Sequence, residues 1–456
     1  MMVVDRYKDM CRTIDLVREE FARFQQLGAG LSSSSWVTDL LQDKLSGTPI
    51  RAYFVAKTAI WLKDTSPLYS ALPYARNERL FSAQLPFIFE VVITIQYLHN
   101  QILDGKSGVT SRERISENML AANLLKEQLY RYIATQLPRS ARNSTLEAVR
   151  KCFEQVDQGQ HLEQQFNTYQ AFVQGQQEWK ETLPQGWAGD LNLDAIAPFV
   201  NKLKTDLPAI LHVQLDIYFA RIYLTCASLF VEASRLLGQL LRVPTSKMKA
   251  VLNFSVCYGL MRQLVNDNSD WIPSRFGLST KTKTAEDHFS DLRNGTLTLP
   301  TFFLLAEKKD SMLLQFLNKQ MRWSATFEEA AFTEVLSSNA LYKSIQNTRI
   351  LSEIALAYLP QKDESAAYLA DSCEIVHWNK FLAPCLNHPA YQHYRKGFYR
   401  QRTRRLILQL RKERTSLQQV PASNWWQQIW ELTPETPPAV TRLVAVLQHH
   451  PAGKTS

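Results

Sequence analysis

Glycine and proline are scarce in this chain, at 15 and 19 of 456 residues. With so few breakers and long periodic apolar runs, the chain reads as mostly helix, and strand signals are sparse. Cysteine is thin as well. Cys11, Cys152, Cys226, Cys257, Cys373 and Cys385 are widely scattered, with no CxxC pair and no Cys/His zinc spacing. Reduced, partly buried thiols in a cytoplasmic protein are the simple reading. No apolar stretch of roughly 18 residues is free of charge, so no transmembrane helix is expected. Residues 81–99 come nearest, but Gln84, Glu90 and Gln96 interrupt them. The first twenty residues carry too many charges for a signal-peptide core. No internal repeat or low-complexity block stands out.

What is present is ordinary globular composition, 45% hydrophobic and 21% charged, on a chain long enough for a large core. The net charge of +9 is concentrated near one place. Residues 395–414 hold Arg395, Lys396, Arg400, Arg402, Arg404, Arg405, Arg411, Lys412 and Arg414 against the single acid Glu413. Such a run suits an anionic partner, and a solvated helix face accounts for it equally simply. Tyr391, Tyr394, Phe398, Tyr399 and Leu406 are interleaved with the basic residues, so 391–417 is expected to make a peripheral contact with anionic lipid. Nucleic acid is not favoured.

Helices are expected over 5–27, 51–63, 81–104, 116–136, 145–173, 211–242, 246–272, 299–319 and 325–358. The segment 81–104 is apolar nearly all round, as a central buried helix is. A stretch near 174–205, with Gly, Pro and Trp and weak periodicity, reads as a long loop or insertion. Residues 273–296 read as a polar loop. The expected division is a helical domain over 1–360 and a basic, Trp-containing extension over 361–456.

The chemistry concentrates in Gly259-Leu-Met-Arg-Gln263-Leu-Val-Asn266-Asp267-Asn-Ser-Asp270 and in Ser290-Asp291-Leu-Arg-Asn-Gly295-Thr-Leu-Thr-Leu-Pro300. Positions i and i+4 share a helix face, so Asn266 and Asp270 fall together with Asp267 beside them. Clustered oxygen donors of this kind suit Mg²⁺, which completes its shell with water and substrate phosphates. Solvated helix-end carboxylates at 267 and 270, an N-cap at Asp291 and a helix-ending Asp104 are the plain structural alternatives.

In their common order, these motifs resemble the polyprenyl synthetase, or trans-isoprenyl diphosphate synthase, branch of the class I isoprenoid synthases. Glu90, His99 and Asp104 fall at family-like offsets, and Gly159-Gln160-His-Leu-Glu163 resembles the Gly-Gln-x-x-Asp element. Gly259, Gln263, Asp267 and Asp270 match the second metal helix. Asp291-Leu292, Gly295 and Thr298-Leu299-Pro300 match the closing element. The resemblance covers about residues 45–310. It implies an all-α bundle around a deep apolar cavity, Mg²⁺ as cofactor, an allylic prenyl diphosphate as substrate, and a homodimer. It assigns the metal to Asn100, Asp104, Asn266, Asp267 and Asp270, with Gln263 assisting. It assigns the diphosphate to Arg51 and Arg112; Lys281 and Lys283, in the polar loop just after the metal helix, are placed to close over it, with simple solvation as the plain alternative.

The departures bear on mechanism. The first aspartate motif reads Asn100-Gln101-Ile-Leu-Asp104, and the second begins with Asn266. The basic motif keeps only Arg51, and threonines stand at 225 and 296 where the family carries lysines. A diphosphate needs basic groups to replace its lost water, so these losses argue against chain elongation with isopentenyl diphosphate. Two expectations follow. One is an Mg²⁺-dependent enzyme that ionises an allylic diphosphate and forms a terpene or prenylates another acceptor, with some similarity to competence-pheromone prenyltransferases. The other is a catalytically silent homologue that acts as a regulatory or interaction subunit of a prenyl synthase.

Overall fold

The computed structural model describes residues 3–28, 50–66, 69–73, 77–104, 111–175, 177–184, 191, 193–271, 289–307, 311–338, 340–359, 369 and 373. The expected basic segment 391–417, the Trp-containing tail and Lys281 and Lys283 lie outside them. Among the described residues the fold is all-α, and a single isolated bridge, Thr168 to Thr296, is the one β feature.

The helices are α1 (Val3–Gly28), α2 (Ile50–Thr65), α3 (Leu85–Leu103), α4 (Arg112–Gln136), α5 (Arg139–Gln165) and α6 (Tyr169–Val173). After them come α7 (Ala197–Asp206), α8 (His212–Ile222), α9 (Ser228–Leu240), α10 (Thr245–Asp270), α11 (Ser290–Arg293), α12 (Leu299–Glu307), α13 (Met312–Leu317), α14 (Ala325–Ser337) and α15 (Ala340–Ala357). Helix α10 is central. It packs on α9 and α15, and α2 is joined to α3 and α9. An aromatic cluster locks three of these helices. Phe54 of α2 meets Phe230 of α9 edge-on at 4.8 Å and stacks on Tyr258 of α10 at 5.1 Å.

Leu80–Leu103 is long and apolar enough to cross a membrane, but most of it is buried inside the bundle. It is the core helix that its all-round apolarity predicts. Its entry is a π-turn at Leu80–Gln84, and Pro86, which has no N–H to donate, directly follows it in the first turn of α3.

Five expectations need correction. The expected helices over 145–173 and 299–319 are each two, α5 with α6 and α12 with α13, separated at the extended Thr168 and Ser311. The stretch near 174–205 is not all loop, because 197–206 is helix α7. Pro198 opens that helix, and Phe199 and Leu203, four apart, bury one face. The expected helix over 211–242 is interrupted by a π-turn at Tyr223–Ala227. That wider turn is gripped between two glycines. A Cβ on Gly159 of α5 would come within 2.6 Å of Thr225 Cγ2, and one on Gly259 of α10 within 2.4 Å of Ala227 Cα. The expected loop over 273–296 ends in the short helix α11, which the Asp270 carboxylate caps from outside.

Candidate functional site

Helix α10 carries Gln263, Asn266, Asp267 and Asp270 in its last two turns. Both aspartates face inward, so neither is the solvated helix-end carboxylate of the plain structural alternative. Asp267 is fully buried. Its Oδ2 accepts the Tyr218 hydroxyl at 2.6 Å, and its Oδ1 accepts the Gln263 side-chain amide at 2.6 Å. Burial pushes the Asp267 carboxyl up to about 6, with the Asp291 charge adding to the rise and the Arg221 charge opposing it. Asp270 accepts the Ser290 hydroxyl and the Asp291 backbone N–H, each at 3.1 Å. Asp291 lies in the first turn of α11 and donates its N–H rather than acting as the cap. Asn266 is half-buried, and its carbonyl accepts the Ser269 hydroxyl at 2.8 Å.

The first motif comes to the same end of the bundle. The exposed Asn100 accepts a hydrogen bond from Gln160 of α5. Asp104 ends α3, as the plain reading of its position had it, and its carbonyl accepts the Asn294 amide at 3.4 Å. One turn beyond Gln160, Glu163 Oε2 lies 3.7 Å from Arg221 Nη1. Arg221 Nη2 in turn lies 4.0 Å from Asp267 Oδ2. Helix α5 therefore links the two motif helices. The closing element is stitched to the same place: Gly295, in left-handed backbone at φ 69°, turns the chain, and its carbonyl accepts Tyr169 N–H at 2.8 Å. Thr296, where the family carries lysine, is buried in the bridge to Thr168.

A second cluster includes Arg262 of α10, one turn before Asn266. Glu90 accepts the Ala52 N–H at 2.9 Å and so fixes the first turn of α2, which carries Arg51. Burial raises the Glu90 carboxyl, and the charges of Arg51 and Arg262 oppose that rise. Burial lowers the Arg51 guanidinium, and the like charge of Arg262 lowers it further. Arg262 is 8% exposed, and its Nε and Nη1 have no hydrogen-bond partner among the described residues.

Other predicted residues stand apart. His99 is half-buried, its pKa lowered by burial while the charge of Asp157 opposes the shift. Arg112 and Arg114 are exposed in the first turn of α4. Arg221 and Arg262 went unnoticed in the sequence. The signal was there, since each is a lone cation inside an apolar helical run, where a charge is rarely buried without a purpose.

As arranged, the described donors do not fit a divalent cation. No group of three His, Cys, Asp or Glu side chains among them converges to hold one. All four carboxylate oxygens of Asp267 and Asp270 already accept hydrogen bonds from the protein.

No protein-family model matches the chain, and no curated protein matches it. Solved structures do. A polyprenyl synthase from Caulobacter crescentus CB15, determined with calcium and isoprenyl diphosphate, superposes with TM-score 0.54 at 17% identity, over 82% of this chain and 97% of that one. A decaprenyl diphosphate synthase from Rhodobacter capsulatus gives 0.52 at 15% identity, over 80% and 98%. A geranylgeranyl pyrophosphate synthetase from Pyrococcus horikoshii Ot3 gives 0.53 at 14%, over 81% and 98%. Tested by this architecture, the resemblance read from the motifs holds: the chain has the all-α fold of the polyprenyl synthetases.

Proposed function

We propose that this protein binds an isoprenyl diphosphate inside its helical bundle and holds it rather than ionising it, as a silent regulatory or interaction subunit of a prenyl synthase. The observation that carries this reading is Arg262. It is buried, has hydrogen-bonding groups to spare, and lies within the field of a second cation, Arg51, with Glu90 placed against both. Buried guanidinium groups are costly unless an anion answers them, and their planar fork matches a phosphate. The fold supports the prenyl part, since the Caulobacter relative was determined with isoprenyl diphosphate. The lost carboxylates at 100, 101 and 266 and the occupied oxygens of Asp267 and Asp270 support holding over ionisation.

A second reading keeps the enzyme. In it, the protein is Mg²⁺-dependent, acts on an allylic diphosphate, and forms a terpene or prenylates an acceptor other than isopentenyl diphosphate. The gathering of Gln263, Asp267, Asp270, Asp291 and Asp104 at one end of the bundle favours it. It requires the second lone pairs of the Asp267 and Asp270 oxygens, beside the hydrogen bonds these already accept, to reach a metal ion. In either reading a cytoplasmic homodimer, touching anionic lipid through 391–417, is part of the proposal.

The test is equilibrium binding of geranyl, farnesyl and geranylgeranyl diphosphates, with pyrophosphate release followed in parallel under Mg²⁺, with and without isopentenyl diphosphate. Saturable binding without pyrophosphate release is expected. Pyrophosphate release that Asp267→Ala abolishes would establish the enzymatic reading instead.

A further inference from the structure

We propose that Arg221 is a resident cation that takes the place of a metal ion among Glu163, Asp267 and Asp291. The guanidinium is supplied by the last turn of α8, just before the π-turn, and is 3% exposed. Carboxylates approach it from two elements, Glu163 of α5 at 3.7 Å and Asp267 of α10 at 4.0 Å. Asp291 of α11 acts on it electrostatically, and the Tyr218 ring lies 5.3 Å from its Cζ.

These are not the contacts of an ordinary salt bridge. Charge-assisted N–H···O bonds run to about 2.7–2.9 Å, whereas both carboxylates here stand off by roughly another ångström. Arg221 Nε and Nη2 have no hydrogen-bond partner among the described residues. The Asp267 oxygens are instead held by Tyr218 and Gln263. The guanidinium thus stands off from an Asp267 carboxylate that other groups hold, and balances the charge of Glu163, Asp267 and Asp291 through space. Three acids against one guanidinium leave this pocket negative when all are ionised; with Arg221 between them they do not converge on one point, and its removal leaves them free to close on a cation. The inference does not depend on what Arg51 and Arg262 bind, because it is tested without diphosphate.

The experiment is titration of full-length protein with Mn²⁺ at pH 7.5, counting free Mn²⁺ by its electron paramagnetic resonance signal and following Tm. Wild type is expected to bind no Mn²⁺ that depends on Asp267, with Tm unchanged. Arg221→Gln is expected to gain a saturable site at least about tenfold tighter than anything in wild type, since buried carboxylates left without their cation take up either protons or a counter-ion, and Mn²⁺ in excess at pH 7.5 competes for them. Mn²⁺ should raise its Tm, and Asp267→Asn in the same background should remove the gain. Arg221→Lys, which keeps the charge, should behave as wild type. Mn²⁺ binding by wild type that Asp267→Asn abolishes would overturn the proposal, whether or not Arg221→Gln folds. A folded Arg221→Gln without the new site would overturn it equally.

Discussion

The Tyr218 hydroxyl donates to Asp267 Oδ2 at 2.6 Å, between two side chains that are both fully buried. This bond holds the carboxylate inside the bundle. Tyr218→Phe removes the donor and leaves a buried carboxylate short of one partner. The expected cost is about 1–3 kcal/mol of stability, read as a lower midpoint in urea. An unchanged midpoint would show that the bond contributes nothing to the folded state.

The same carboxylate titrates. Its pKa is raised from 3.8 to about 6, so the folded state takes up the proton more readily than the unfolded one. A raised carboxyl contributes its stability below the unfolded value and loses it as pH rises through the folded one. Asp267→Asn has no such titration. The Tm of wild type minus that of Asp267→Asn is therefore expected to increase as pH falls from 7.5 to 4.5, with the change centred between about 4 and 6. A difference flat across that range would mean that Asp267 is not perturbed.

Packing at the π-turn offers a separate test. A Cβ at Gly259 would come within 2.4 Å of Ala227 Cα and 2.8 Å of its Cβ, and backbone cannot yield as a flexible side chain can. Gly259→Ala is expected to lose about 1–3 kcal/mol or more through overpacking, visible in thermal unfolding. Because the turn carries Thr225 and follows Arg221, the substitution should also disturb the ion cluster.

Glu20 ties the first helix to the bundle. It is fully buried and accepts hydrogen bonds from Arg79 Nη2 at 2.7 Å, Arg23 Nη1 at 2.8 Å and the Tyr132 hydroxyl at 2.5 Å. Glu20→Gln keeps the shape but loses the charge and one acceptor. Partial exposure of the arginines limits the loss to about 2–3 kcal/mol, measurable by chemical denaturation. A variant as stable as wild type would show that α1 is held by apolar contacts alone.

The helical architecture was legible because its signals are local and repeated. Apolar periodicity marked the core helices, and the order Gly259, Gln263, Asp267, Asp270, Asp291, Gly295 marked the helix end and closing element that the fold brings together. What was illegible depends on contacts across the bundle. Asp270 reads as a metal ligand by spacing, yet its cap on α11 exists only once 289–293 folds back on it. The π-turn at 223–227 is invisible to periodicity, because the glycines that admit it are on other helices. Arg221 and Arg262 stand out in the sequence only as lone cations in apolar helical runs, and the acids around them come from other helices.

The most direct measurement of the central claim is calorimetric titration of full-length protein with farnesyl diphosphate in EDTA, for wild type and Arg262→Gln. The account predicts saturable binding in wild type, weakened about ten- to a hundredfold in the variant, as the loss of charge-assisted bonds to a phosphate implies. Absence of binding by wild type, in EDTA and again with Mg²⁺, would contradict it.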